Sequence, residues 1–229
     1  MTDHSQKQIT VRDAATVVLW REGPEGIEVL MGQRGASAAF MPSKFVFPGG
    51  AVDPADHEIA LVKPLPPSSA TGLSRESHLA PEVLAAAAIR ELWEETGLAL
   101  GEPADWPNPP EDRDQDWQGF ADLGIRPSGE GLRFIFRAIT PPGRPRRFDA
   151  RFFLVDARHI AGDPDDFSAA ADELSHLHWV TLTKARALDL PFVTEVVLAE
   201  VQEHLRGTPP PGVPFFDNSG TKPRFWRLN

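Results

Sequence analysis

The order of strand-like and helix-like stretches predicts an α/β fold, a sheet with helices packed on both faces. Three observations carry that expectation. β-Branched and aromatic runs near residues 15–20, 27–34, 132–139, 147–155 and 174–180 read as strands. An Ala-rich run from Pro81 to Thr96 and an apolar run from Pro191 to Leu205 read as helices. The two kinds interleave along 229 residues, enough for one large domain with elaborations.

In order, residues 1–13 read as a flexible N-terminal tail. Ala15-Thr16-Val17-Val18-Leu19-Trp20 is a buried strand by its β-branched content. Arg21 to Gly26 turns the chain with Gly23, Pro24 and Gly26, so the strand at 27–34 completes a hairpin. A small-residue loop to Lys44 leads into a short strand, Phe45-Val46-Phe47, and the turn Pro48-Gly49-Gly50. Residues 51–80 have no period and are broken by Pro54, Pro64, Pro66 and Pro67. A loop this long is functional or a tolerated surface excursion. The helix from 81 to 96 stops at Gly97, which suits a left-handed cap. Residues 101–116 are an acidic, Pro-rich loop, and 117–123 a short helix carrying Trp117 and Phe120. In the strand at 147–155, Phe148, Ala150, Phe152 and Leu154 alternate with Arg147, Asp149 and Arg151. Helices at 182–188 and 191–205 close a domain spanning 14–205, and 206–229 reads as a Pro-rich C-terminal tail.

Composition narrows the function classes. There are no cysteines, which excludes disulfides and thiolate metal sites. The net charge of −10 argues against a nucleic-acid partner, which needs a basic face. No run approaches the ~18 apolar residues of a membrane span. The opening residues lack an apolar signal core, and Arg227-Leu228-Asn229 is not a peroxisomal address. A cytoplasmic setting is therefore expected.

The chemistry gathers in Arg90-Glu91-Leu92-Trp93-Glu94-Glu95-Thr96-Gly97-Leu98. At about 100° per residue, Glu91, Glu94 and Glu95 share one helix face, while Ala85, Ala88, Ile89 and Leu92 share another. Three carboxylates so close repel one another. A hard divalent cation compensates such a face, and solvation also does.

The stretch is more specific than its charges. It resembles the second half of the signature of the Nudix hydrolases, Gly-x5-Glu-x7-Arg-Glu-(apolar)-x-Glu-Glu-x-Gly-(apolar). Seven residues separate Glu82 from Arg90, as the pattern asks. Phe47-Pro48-Gly49-Gly50 is similar to the turn that opens the family's box, but residues 51–81 separate Gly50 from Glu82 where the family has five. The resemblance therefore reads as a box with an insertion at 51–80. It implies an α/β/α sandwich around a mixed β-sheet, with the catalytic helix on one side. It also implies a Mg²⁺- or Mn²⁺-dependent diphosphatase acting on a nucleoside-diphosphate-X compound, often as a homodimer. Glu91, Glu94 and Glu95 would be metal ligands with the carbonyl of Gly49. Arg90 would orient the glutamates and Glu82 would support that pairing. In this family the general base is a box glutamate or a carboxylate on a distant loop, and Glu173, with Asp172, is the loop candidate; an exposed charge at a strand start is the other reading of Glu173. His176 and His178 read as surface residues.

Substrate is less legible. Residues 41–50, the insertion and Arg146-Arg147-Phe148-Asp149-x-Arg151-Phe152-Phe153 resemble the acyl-CoA diphosphatase branch. The upstream pattern of CoA-cleaving relatives, Arg-(Ser/Ala)-x3-Arg-x3-Gly-x3-Phe-Pro-Gly-Gly, is kept at Arg34 and Phe47. Gly35, Ala39 and Ser43 replace the fixed residues between them. On this reading Arg34, Arg146 and Arg147 bind substrate, the last two with Arg144 available to a 3′-phosphate. Trp117 and Phe120 would line the acyl-pantetheine arm. The arginines also read as charges that protect a strand edge. ADP-ribose, NADH or a nucleoside triphosphate is the alternative substrate, and a catalytically silent nucleotide-sensing module is the alternative function.

Overall fold

Chain order in the computed structural model is β1 (Val11–Gly23), β2 (Gly26–Arg34), β3 (Phe45–Val46), β4 (Gly49–Ala51), a 3-10 turn (Pro54–Glu58), α1 (Pro67–Ser74), α2 (Pro81–Thr96), β5 (Ala99–Pro103), α3 (Gln115–Asp122), β6 (Ile125–Pro127), β7 (Arg133–Ile139), β8 (Arg147–Asp156), a second 3-10 turn (Ala157–His159), β9 (Ile160–Ala161), β10 (Leu174–Thr181), α4 (Leu182–Ala185), α5 (Phe192–Leu205), β11 (Val213–Asp217) and β12 (Arg224–Leu228). The structure describes residues 9–107, 115–207 and 209–229. None of the described helices is long and apolar enough to cross a membrane.

Nine of the strands form one mixed sheet in the order β10-β2-β1-β8-β7-β11-β12, with β3 on β2 and β4 on β1. The β1–β8 and β7–β11 pairs are parallel. A side sheet, β6-β5-β9, completes the fold. The period of two in β1 sorts its side chains. Ala15, Val17 and Leu19 enter the core with Leu84, Ile89 and Leu92 of α2, and Val18 enters the opposite core with Val197 and Val201 of α5. Each fully enclosed Leu or Ile stabilises by about 1.5–3 kcal/mol relative to exposure. The α2 core fixes which face of that helix is left for its carboxylates.

Three sequence expectations change here. The segment 51–80 is not structureless. Asp53 caps the 3-10 turn through its side chain, and Pro67 at the first position of α1 starts a helix. The Ser69 hydroxyl on α1 accepts the Phe134 N–H at 3.0 Å, which seats α1 on the sheet. Residues 206–229 are also more than a tail, because β11 and β12 extend the sheet beyond β7. In the polar half of β8, Asp149 and Arg151 are buried rather than solvated. Arg137 grips Asp149 at 2.8 and 2.6 Å, Arg151 bonds Asp13, and Arg137 also donates to the carbonyls of Arg75 and Glu76. This buried ion network ties the link between α1 and α2 to the sheet.

Candidate active site

Helix α2 brings the site together by where it starts and stops. Pro81 occupies its first turn, where a missing N–H is harmless. Gly97 ends it at φ 73°, and its N–H returns to the Trp93 carbonyl at 2.7 Å. A Cβ on Gly97 would come within 3.0 Å of the Ala169 backbone. The glycine therefore both stops the helix and lets the segment before β10 lie against it. Ala171 N–H donates to the Glu94 carbonyl at 2.9 Å and fixes that segment.

Glu91 and Glu95 point at the Gly49–Gly50 turn. The Gly49 N–H donates to Glu95 Oε2 at 2.7 Å. A Cβ on Gly50 would lie 2.4 Å from the Glu91 carboxylate and would force it to move, so glycine lets that group keep its place. Glu95 is 2 % exposed. Burial raises its carboxyl well above the usual range; the Gly49 bond opposes this, Glu91 and Glu173 add to it, and Arg34 opposes it. Burial also raises Glu91, eased by Arg90 and reinforced by Glu173 and Asp56. These are enclosed oxygen donors whose negative charge lacks full compensation. That is the donor chemistry a hard divalent cation takes. Among the described residues no three His, Asp or Glu side chains already form a cage. Instead Glu91 and Glu94 lean on Arg90, at 3.1 and 2.6 Å.

Arg90 is the hub of the second layer. Its Nε and Nη2 donate to the two oxygens of Asp56 at 2.9 and 3.0 Å, and Nη2 also reaches the Ala51 carbonyl at 3.0 Å. Burial works against its charge, but Asp56, Glu91 and Glu94 outweigh it and raise its pKa above the ordinary value. Asp56 thus does what was expected of Glu82, which is exposed in the first turn of α2. The signal was present in the sequence. Asp56 follows Gly50 after five residues, the family's spacing for its first acid, but as aspartate. On this alignment the additional residues lie between Asp56 and Arg90, not between Gly50 and the first acid.

The remaining expected residues divide. Glu173 reaches the site: its charge acts on both Glu91 and Glu95, and Arg34 Nη2 donates to its Oε1 at 2.8 Å. Arg34 therefore sits beside the carboxylates, paired with Glu173. Arg147 does not join them. Its guanidinium donates to the Thr140 carbonyl at 3.0 Å and reaches the carbonyls of Asn218 and Ser219, each at 3.5 Å. It opens β8 opposite Val11, five residues along β1 from the Thr16–Gly49 pair. Arg146 is exposed in the turn before it. Trp117 and Phe120 are core residues, 1 % and 0 % exposed, with Phe120 packed edge-on against Trp93.

Known proteins identify the family. The NUDIX domain model matches residues 10–201. A NUDIX hydrolase from Alicyclobacillus acidocaldarius is 33 % identical, covers 83 % of this chain and 90 % of its own, and superposes with a TM-score of 0.62. A Caenorhabditis elegans protein carrying the name nudix hydrolase 7 is 28 % identical over 178 residues, 74 % of this chain. The chain spans about half the length of that curated relative, 51 %. The NUDIX domain of Shewanella oneidensis NrtR, complexed with ADP ribose, shares the fold at 13 % identity and a TM-score of 0.51, covering 90 % of this chain and 99 % of its own. Nudix hydrolases generally use divalent metal ions. On its helix motif, its mixed sheet between helices and these matches, the chain belongs to the Nudix hydrolase family.

Proposed function

We propose that the chain is a Mg²⁺- or Mn²⁺-dependent hydrolase of a diphosphate linkage in a nucleoside-diphosphate-X compound. The observation that carries this is the buried Glu95 beside the part-buried Glu91, both facing the Gly49–Gly50 turn. Glu91, Glu94 and Glu95, with the Gly49 carbonyl, would hold the cation. A bound divalent cation polarises phosphoryl oxygens and neutralises the charge of the leaving phosphate. Arg90, braced by Asp56, holds Glu91 and Glu94 in place and offsets part of their repulsion. Glu173 takes a proton from the attacking water. The water oxygen bonds to one phosphorus, the bridging P–O bond breaks, and the second phosphate leaves with the electron pair.

Within that class, CoA or an acyl-CoA is the substrate we place first, cleaved to 3′,5′-ADP and a 4′-phosphopantetheine product. Support comes from the segment before the glycine turn. Arg34 and Phe47 keep the CoA-type spacing. Ser43, at the pattern's glycine, adopts φ 60°, the conformation glycine takes freely. The bonds of Arg147 to backbone carbonyls remove support for it as the 3′-phosphate partner. The same reading takes 14–205 as the hydrolase domain, with the insertion beginning after Asp56, and small nucleotides rather than nucleic acid or membrane as partners, in the cytoplasm.

The test is product analysis on CoA, acetyl-CoA, ADP-ribose, NADH and nucleoside triphosphates, with Mg²⁺ and with excess EDTA. Cleavage of CoA between its phosphorus atoms, only with metal, is expected. Efficient cleavage of ADP-ribose with CoA untouched would overturn the substrate and keep the reaction. No cleavage of any compound would leave the sensing module as the better reading.

A further inference from the structure

The end of β2 and the residue before β10 meet at one ion pair. Arg34 lies opposite Leu174 in the β2–β10 ladder, and its Nη2 donates to Glu173 Oε1 at 2.8 Å. The two partners differ in exposure. The Arg34 side chain is 16 % exposed and that of Glu173 is 58 %. A guanidinium has five N–H donors in a fixed fork. The Arg34 Nε is buried and has no acceptor among the described residues. A buried donor without a partner is unfavourable and calls for an explanation. Here the idle donor belongs to a cation whose charge reaches Glu95, while Glu173 acts on both Glu91 and Glu95.

The backbone around Glu173 is fixed from two sides. Ala171 N–H is bonded to the Glu94 carbonyl, and Ala169 lies against Gly97. After Glu173 the β10 register shifts between Ser175 and His178, where His176 takes φ 52°. Bulges of this kind aim side chains beside reactive sites. With the main chain held, the direction of the Glu173 carboxylate depends on its side chain and on Arg34.

We propose that Arg34 is a positioning residue: its guanidinium holds the Glu173 carboxylate toward Glu91 and Glu95, where it accepts the proton of the attacking water. The inference rests on the hydrolase reading above. It makes the Arg34 bond the element that keeps Glu173 aimed at the attacking water. An anion on the Nε side would complete the fork that Glu173 fills on one side only.

The experiment is a double-mutant cycle with Arg34→Ala and Glu173→Gln, and Arg34→Lys as the conservative variant. kcat and KM are measured with Mg²⁺ on the best substrate of the panel. Thermal melts are measured on metal-free protein. Arg34→Ala is expected to lower kcat at least tenfold, Glu173→Gln at least as much, and the double variant no further than Glu173→Gln alone. Arg34→Lys, which keeps the charge without the fork, should recover part of the loss. In the melts, the Tm change caused by Glu173→Gln should disappear in the Arg34→Ala background. Losses that multiply in the double variant would overturn the proposal, as would a raised KM at unchanged kcat in Arg34→Ala. Wild-type turnover in Glu173→Gln would also overturn it, while leaving metal-dependent hydrolysis intact. A wild-type chain that cleaves nothing on the panel removes both.

Discussion

Replacing Asp56 with alanine should unsettle the site from outside it. The Asp56 side chain is 0 % exposed and that of Arg90 is 7 %, and two hydrogen bonds of 2.9 and 3.0 Å join them. Removing one partner of a buried ion pair costs about 3–5 kcal/mol, because the other charge is left behind. Arg90 keeps Glu91, Glu94 and the Ala51 carbonyl, which places this loss near the lower end. Asp56 Oδ2 also accepts the Asp53 N–H at 2.8 Å, and that bond adds about 1 kcal/mol. A total of roughly 4 kcal/mol corresponds to a fall in Tm of about 8–16 °C for a domain of this size. Calorimetry in excess EDTA separates this from any change in metal affinity. Glu82→Gln is the control, since an exposed substitution should stay within about 0.5 kcal/mol of wild type. The reasoning fails if Asp56→Ala melts within about 2 °C of wild type. It also fails if Glu82→Gln loses as much, because Arg90 would then depend on Glu82.

Other perturbations follow from single contacts. Gly50→Ala drives a Cβ into the Glu91 carboxylate, 2.4 Å away. It should lower kcat/KM by about tenfold or more, the scale of a misplaced catalytic group, and normal turnover would argue against Glu91. Ser43→Gly relieves a serine held at φ 60° and should stabilise by about 0.5 kcal/mol, after allowing for the looser unfolded chain. A lowered Tm would contradict it. Glu200 is 9 % exposed; burial pushes its carboxyl up, but His204 and Arg227 outweigh this and hold it below the usual range. A depressed folded pKa stabilises above the unfolded value, about 4.3, and this is lost as pH falls through the folded one. The Tm deficit of Glu200→Gln should therefore be full at neutral pH and shrink in acid below about pH 4, and a deficit that grows in acid would refute the sign.

Most of the sheet and both long helices were legible because period and burial agree in them. The alternation in β1 and the Ala-rich face of α2 each point to one core, and the structure uses both. Legibility ended where local signals had two meanings. Pro66-Pro67 read as a break, yet proline also opens a helix, and α1 starts there. Pro density hid β11 and β12, whose Phe215 and Trp226 rings pack at a tilt with centroids 4.6 Å apart. At the site, the helix carboxylates and Arg90 could be read from spacing, since i, i+3 and i+4 fix a face. Asp56 was missed because a glutamate was sought at the far end of the insertion. Arg146 and Arg147 read as substrate partners because charge alone does not tell a free cation from one already bonded to backbone carbonyls, as Arg147 is, or to carboxylates. Arg151, which was given no substrate role, is 1 % exposed and bonded to Asp13.

The central claim is metal-dependent cleavage of a diphosphate at the Glu91–Glu95 pair. Its most direct measurement is the rate of product formation from CoA and the other diphosphates by wild type and Glu95→Gln, each in Mg²⁺ and in excess EDTA, with melts recorded alongside. The account predicts turnover by the wild type in Mg²⁺, none in EDTA, and a loss in folded Glu95→Gln equivalent to several kcal/mol of transition-state stabilisation. Undiminished wild-type turnover in EDTA, or wild-type rates in Glu95→Gln, would contradict it.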